Sequence, residues 1–123
     1  VMCDLDGLKT INDKYGHDNG DFAIRTAAQA LKRVCPHNAA CTRFGGDEMM
    51  AVFPCCGVEN DIRAMFDQAL DSINEASGKP YRVSASMGIY ITQNGEKPGF
   101  DELIRCSDKL MYEEKKQRKA ARG

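Results

Sequence analysis

The sequence predicts an α/β fold of the α+β kind, a mixed central β-sheet wrapped by helices. Three observations predict it. Segments with helical periodicity alternate with short apolar runs of strand character. Near the middle, Gly45-Gly46 stands between apolar flanks and reads as a tight hairpin turn, because glycine accepts positive φ without steric cost. The hairpin makes part of the sheet antiparallel, hence mixed. Finally, 123 residues suffice for one core and not for two, so residues 1–123 form a single domain.

The elements follow in order. Residues 1–6 form the end of a buried strand. Residues 8–15 form a short helix stopped by Gly16. Residues 17–21 are a turn-rich connection, with Asp21 as the expected cap of the next helix. That helix carries Ile24, Ala27, Ala28, Leu31 and Val34 at spacings of three and four and ends at Pro36. Residues 41–44 and 47–53 are the hairpin arms, the second broken by Pro54 and Gly57. The next helix has the strongest stripe of the chain: Ile62, Met65, Phe66, Ala69, Leu70 and Ile73. Gly78 and Pro80 end it. Residues 83–91 form a strand whose small residues (Ser84, Ala85, Ser86, Gly88) predict close packing beneath a helix or ligand. Residues 92–99 are loop. A last helix buries Phe100, Leu103, Ile104, Leu110 and Met111, then runs into a basic tail.

Composition narrows the functional classes. Seventeen basic side chains against 18 acidic ones leave a net charge of −1, which argues against a broad electrostatic grip on nucleic acid. No apolar run approaches the ~20 residues that span a bilayer, and no signal peptide is legible. The expectation is a soluble, cytoplasmic chain without direct membrane contact, or the cytoplasmic module of a membrane sensor. The six cysteines, at 3, 35, 41, 55, 56 and 106, form no C-x-x-C pair and have no histidine at zinc-finger spacing. They read as reduced, mostly buried small hydrophobes.

Chemistry concentrates in two places. Asp4 closes the first strand, and Asp47-Glu48 follows the hairpin glycines on a strand whose neighbouring side chains point to opposite faces. If the two strands are neighbours, Asp4 and Asp47 converge into a hard-oxygen site suited to magnesium and substrate phosphates. The ordinary alternative for Asp47 and Glu48 is an exposed, charged hairpin tip. Gly7 and Leu8 begin a helix, where unsatisfied amides favour phosphate. Lys9 lies one helical turn before Asn12, so both face one side; otherwise Lys9 is a solvated lysine.

In order and spacing, Asp4-Leu5-Asp6-Gly7-Leu8-Lys9, Ile11-Asn12-Asp13, Tyr15-Gly16-His17-Asp18 and Gly20-Asp21 resemble the first block of GGDEF-domain diguanylate cyclases. Gly45-Gly46-Asp47-Glu48-Met49 resembles the signature that names the family. Ser84-Ala85-Ser86-Met87-Gly88, then Ser107-Asp108, Met111-Tyr112 and Lys115, resemble its later blocks. The resemblance implies a polymerase-palm-like fold with the signature on a β-hairpin. It implies condensation of two GTP into cyclic di-GMP and two pyrophosphates, in a homodimer whose two domains each present one GTP. By the same resemblance, Asp4, the Leu5 carbonyl and Asp47 hold magnesium or manganese, with Glu48 as a further ligand. Asp47 assists deprotonation, with Glu48 as the alternative base, and Lys9 neutralises phosphate charge. Asn12 and Asp21 read guanine: a carboxylate accepts from its N1–H and 2-amino group and repels the acceptor at adenine N1. His17 contacts substrate or braces its turn. Lys115 reaches the triphosphate, with Lys119 held more loosely; otherwise this basic tail complements the helix dipole. Asp6, Asp13 and Asp18 are read as turn and cap residues.

The chain departs from the family pattern at Gly7 (commonly aromatic), at Met49 (usually phenylalanine) and at Arg118-Lys119 (usually glycine-arginine). Pro36 and Ala39 stand where the family's product-inhibition site has Arg-x-x-Asp, so feedback through that surface is expected to be absent. The family's helix before the first strand, and an attached sensory or regulatory domain, are expected outside this sequence. Two rival readings remain: a degenerate domain that binds GTP or a protein without catalysis, and a palm-like polymerase or cyclase of other specificity. Asn12 and Asp21 weigh against the second.

Overall fold

Alternation along the first strand sets the layers. In β1 (Met2–Leu5), Cys3 and Leu5 point to one face, and Met2 and Asp4 to the other; all four are buried. A strand buried on both faces must lie inside a sheet with cover above and below. The structure, a computed structural model, describes residues 1–54, 59–92 and 95–121. Cys55, Cys56 and Gly57 lie outside the described residues.

The remaining elements are α1 (Leu8–Tyr15), α2 (His17–Val34), β2 (Ala40–Arg43), β3 (Glu48–Val52), α3 (Glu59–Ser77), β4 (Ala85–Gly88) and α4 (Phe100–Ala121). The sheet order is β2-β3-β1-β4. Each pair in it is antiparallel, with Met2 opposite Met50 on one side and Gly88 on the other. The α+β class stands, but these strands are not mixed in direction. From β1 the chain returns by helix to β2, which is separated from β1 by β3. From β3 it returns by α3 to β4, which is separated from β3 by β1. Each crossover skips one strand, a pair of split βαβ units, so parallel strands never become neighbours.

One face of the sheet (Cys3, Leu5, Met49, Ala51, Ala85 and Met87) packs with residues of α2 and α3 in a single core. Alanines at 23, 27 and 30 give α2 a smooth buried side, and Ile62 and Phe66 of α3 are wholly buried. Each large side chain so buried stabilises by about 1.5–3 kcal/mol. The opposite face is covered by α4, through Met2, Met50 and Met111, with Ile104 beside them. Gly88 lets α4 come close: a Cβ there would stand 2.1 Å from the Ser107 carbonyl oxygen and 2.4 Å from the Met111 nitrogen. The small residues of this strand mark that approach. Among the described residues, no helix is long and apolar enough to cross a membrane.

Ion pairs close the exposed edge of β4. Arg63 NH2 donates to the Ala85 carbonyl at 3.4 Å, and the Met87 amide donates to Glu114 Oε1 at 3.3 Å. Arg63 also pairs with Asp67 and Glu114, tying α3 to α4. Side chains thereby occupy groups that an unprotected edge would offer to another strand.

Several expectations need correction. The strands are shorter than expected: β1 covers 2–5, β2 40–43, β3 48–52 and β4 85–88. Residues 17–21 are the first turns of α2, capped by Gly16 at φ 92°, so Asp21 lies inside the helix and is not its cap. The helices α1 and α2 nearly abut, and one glycine makes the corner. Neither Gly45 nor Gly46 adopts positive φ. Instead Arg43 clamps their loop, donating from Nε to the Gly45 carbonyl (3.1 Å) and from NH2 to that of Gly46 (2.7 Å). Cys41 is exposed, as are all four residues of the edge strand β2. Ala28, Met65, Phe100 and Leu110, expected on buried stripes, are exposed. The basic tail is the last part of α4, which continues to Ala121.

Gly88→Ala should lower stability by about 1–3 kcal/mol, since backbone on both sides must shift to admit a methyl. Gly46→Ala, with open space around its Cβ and no positive φ, should stay within about 0.5 kcal/mol. Denaturant unfolding of the two variants checks the contrast; equal losses would contradict the close packing of α4.

Candidate active site

The site forms where β1 ends and β3 begins. Asp4 lies directly opposite Glu48 in the β1–β3 pair, so their side chains share a face. Asp47 immediately precedes β3, and its carbonyl accepts from the Leu5 amide at 3.1 Å. Lying outside the strand, Asp47 is freed from strict alternation. Asp4, Asp47 and Glu48 each bring one carboxylate oxygen to within 4.8 Å of the others. Although neighbouring side chains on a strand point to opposite faces, Asp47 and Glu48 both bring an oxygen to Asp4.

Three carboxylates this close perturb one another. Asp4 is pushed up to about 6, first by burial, then by the charge of Asp47; Lys115 opposes both without cancelling them. Burial also raises Glu48, with Asp108 and Asp47 adding to it. Lys115 Nζ donates to Asp4 Oδ2 at 2.6 Å. Burial depresses this ammonium, but Asp4, Asp47 and Asp6 outweigh it and the net shift is upward. The other Asp4 oxygen, Oδ1, is buried and has no hydrogen-bond partner. An unsatisfied buried carboxylate oxygen costs free energy unless something positive meets it. Hard oxygen donors, an excess of negative charge and this orphaned atom fit magnesium or manganese.

The residues expected to meet a nucleotide lie on α1 and the start of α2. Gly7, at φ 67° and ψ 26°, turns the chain from β1 into α1 through a conformation that side chains rarely adopt. The first amides of α1, at Leu8 and Lys9, have no intrahelical acceptor. Leu8 is partly buried, whereas Lys9 is exposed. Asn12 is fixed by the α1–α2 corner: a Cβ on Gly20 would fall 1.7 Å from Asn12 Oδ1. Gly20 thus clears the space that Asn12 occupies, immediately beside Asp21. Asp21 and His17 are both exposed on α2, open to a ligand. Tyr81 steadies this corner: its hydroxyl donates to Asn19 Oδ1 at 2.9 Å, and its ring lies 5.0 Å from that of Tyr15.

Leu5 is buried, so only its backbone is available to the site. Lys115 rests on Asp4, and Lys119 is exposed on α4. Met49 is a core residue facing α2 and α3. Asp6, read from the sequence as a turn residue, is instead buried, accepting from Ser86 Oγ at 2.7 Å, Ser84 Oγ at 3.1 Å and Arg118 NH1 at 3.0 Å. Sequence reasoning also missed Arg43 as the loop clamp and Gly20 as the space for Asn12. The available signal for Asp6 was its period-two spacing from Asp4 on a buried strand.

A split-βαβ sheet with three carboxylates converging beside an inner strand defines an α+β domain with a cluster able to hold a hard cation. The family model "Diguanylate cyclase, GGDEF domain" matches residues 1–121, and the chain belongs to the GGDEF family. Diguanylate cyclase VdcA of Vibrio cholerae is 31% identical over 120 residues, covering 94% of this chain and 35% of VdcA. Among solved structures, the active GGEEF domain of a Vibrio cholerae diguanylate cyclase aligns with a TM-score of 0.76 at 25% identity, covering 94% of this chain and 74% of that one. The GGDEF domain of DgcB from Caulobacter crescentus, in complex with c-di-GMP, shares the fold with a TM-score of 0.76 at 23% identity, over 94% of this chain and 70% of that one. The chain spans about a third of the length of such curated relatives.

Because the folded-state value of Asp4, about 6, lies above its ordinary 3.8, the group favours the fold when protonated. That contribution is complete below about pH 4 and is lost as pH rises through about 6. Without metal, Asp4→Asn should therefore stabilise the domain at pH 8 by roughly 1–3 kcal/mol relative to wild type, with the gain vanishing near pH 4. Thermal unfolding at both pH values in the presence of a chelator tests this; a gain that ignores pH contradicts the assignment.

Proposed function

We propose that this domain is a diguanylate cyclase: it joins two GTP into cyclic di-GMP and releases two pyrophosphates, acting as a homodimer in which each copy presents one nucleotide. The observation that carries the reading is the convergence of Asp4, Asp47 and Glu48 around a buried oxygen that lacks a partner. Family membership supports the nucleotidyl-transfer class.

Asp4, Asp47 and Glu48, with the Leu5 carbonyl, would hold magnesium or manganese. When bound, such an ion supplies charge neutralisation for the phosphates and acidity for a coordinated hydroxyl. The rest falls to the chain. Asn12 and Asp21 orient guanine, and His17 sits beside them on the first turn of α2. The amides of Gly7 and Leu8 receive phosphate oxygens at the N-terminus of α1. Lys9 and Lys115 balance the triphosphate charge, which grows on the pyrophosphate side as the P–O bond breaks. The 3′-hydroxyl of one nucleotide attacks the α-phosphate of the other in line. Its proton passes to Asp47, with Glu48, raised by burial, as the alternative acceptor. Repetition with the roles exchanged closes the ring. Pro36 and Ala39, bridged by an Ala39 amide to Pro36 carbonyl bond of 3.0 Å, offer no charge for product, so feedback inhibition at that surface is absent in this reading.

Dimeric protein incubated with GTP and magnesium should yield cyclic di-GMP by mass spectrometry. Asp47→Asn should reduce turnover at least about 100-fold, the loss of several kcal/mol of charge stabilisation, while the fold persists by circular dichroism. GTP binding without product would favour the degenerate, nucleotide-sensing reading. Product from ATP in place of GTP would overturn the roles given to Asn12 and Asp21.

A further inference from the structure

Helix α4 lies on β1 in a fixed register. Met111 packs with Met2, Lys115 pairs with Asp4 at 2.6 Å, and Arg118 pairs with Asp6 at 3.0 Å. Positions 111, 115 and 118 share one side of a helix, and that side meets positions 2 and 4 of β1 and Asp6 just past its end. The helix advances about 6.0 Å over its first step of four residues and about 4.5 Å over the next three, against about 6.7 Å for each two residues of strand, so helix and strand run in the same sense.

The two charged rungs differ in kind. Asp6 is 3% exposed in its side chain and also takes hydroxyl donors from Ser84 and Ser86. Arg118 is held in turn by Glu114 at 3.2 Å and Asp67 at 3.6 Å, which belong to the same network as Arg63. A guanidinium presents its donors in a rigid fork and, held this way, has little freedom. The Asp4 rung is open: one carboxylate oxygen is bare, and Lys115 is a flexible point charge with 35% of its side chain exposed.

Resting on the reading above, we propose that Arg118 is a positioning residue: by locking α4 to β1 through Asp6, it holds Lys115 where the ammonium can pass from Asp4 to the triphosphate. The fixed rung keeps the helix register while the open rung changes partner. Lys115 then serves as the counter-charge of Asp4 before substrate arrives and of the phosphates afterwards, without movement of the α4 backbone.

The test measures binding of 3′-deoxyGTP, which lacks the attacking hydroxyl, and of guanosine, which lacks phosphates, to the full chain with magnesium. Arg118→Met should weaken 3′-deoxyGTP about 5–10-fold, and Lys115→Met about as much or more. Guanosine should change less than about twofold in either variant, because Lys115 acts only on phosphate. The double variant should bind 3′-deoxyGTP within about twofold of Lys115→Met alone, since Arg118 acts through Lys115. Multiplying losses in the double variant, or an equal loss for guanosine, would overturn the proposal and leave Arg118 a purely structural residue. If Arg118→Met does not fold, Asp6→Asn breaks the same rung from the strand side at constant size and is held to the same criteria. Unaltered protein that binds neither probe would instead defeat the nucleotide reading itself.

Discussion

Two buried carboxylates, Asp4 on the strand β1 and Asp6 just past its end, face the same helix, and much of the molecule is arranged around them. A buried charge is tolerated only with partners, and removing one partner is far more costly than never having buried the pair. Asp6 is fully answered, by two serine hydroxyls from the neighbouring β4 segment and by Arg118. Asp4 is answered on one oxygen only. The difference between these residues, two positions apart, separates structure from chemistry in this domain.

The asymmetry follows from their neighbours in the sheet. Both face α4. Asp6 lies beside the serines of the β4 segment and under a cation held by three acidic groups. Asp4 lies opposite Glu48, beside the hairpin that brings Asp47, so its surroundings grow more negative. A sheet edge that would otherwise be open is closed by the same charge network, through Arg63 and Glu114. One set of ion pairs therefore protects β4, ties α3 to α4, and fixes the helix that carries Lys115.

The hairpin shows how the two demands meet. Its glycines are not used for left-handed backbone; Arg43 holds their carbonyls, and no side chain crowds Gly46. The loop is thus shaped by a clamp and kept bare.

By itself the sequence determined the order of helices and strands, the hairpin and the residues of the carboxylate cluster, because these rest on local periodicity, turn chemistry and motif spacing. The long amphipathic helices α2 and α3 were legible for the same reason, although the first turns of α2 at 17–21 and the exact buried faces were not: Met65 and Ala28 fit the stripe yet lie exposed. Tertiary structure alone decided the strand neighbours, since periodicity cannot tell which strand a crossover skips, and so an expected mixed sheet is antiparallel. It also set the distances in the carboxylate cluster, bringing an oxygen of each of Asp4, Asp47 and Glu48 within 4.8 Å of the others, which motif spacing does not give. The partners of Asp6 and Asp4 lie 112 and 111 residues away on α4, a separation at which pairing depends on the packing of helix on sheet and leaves no local trace.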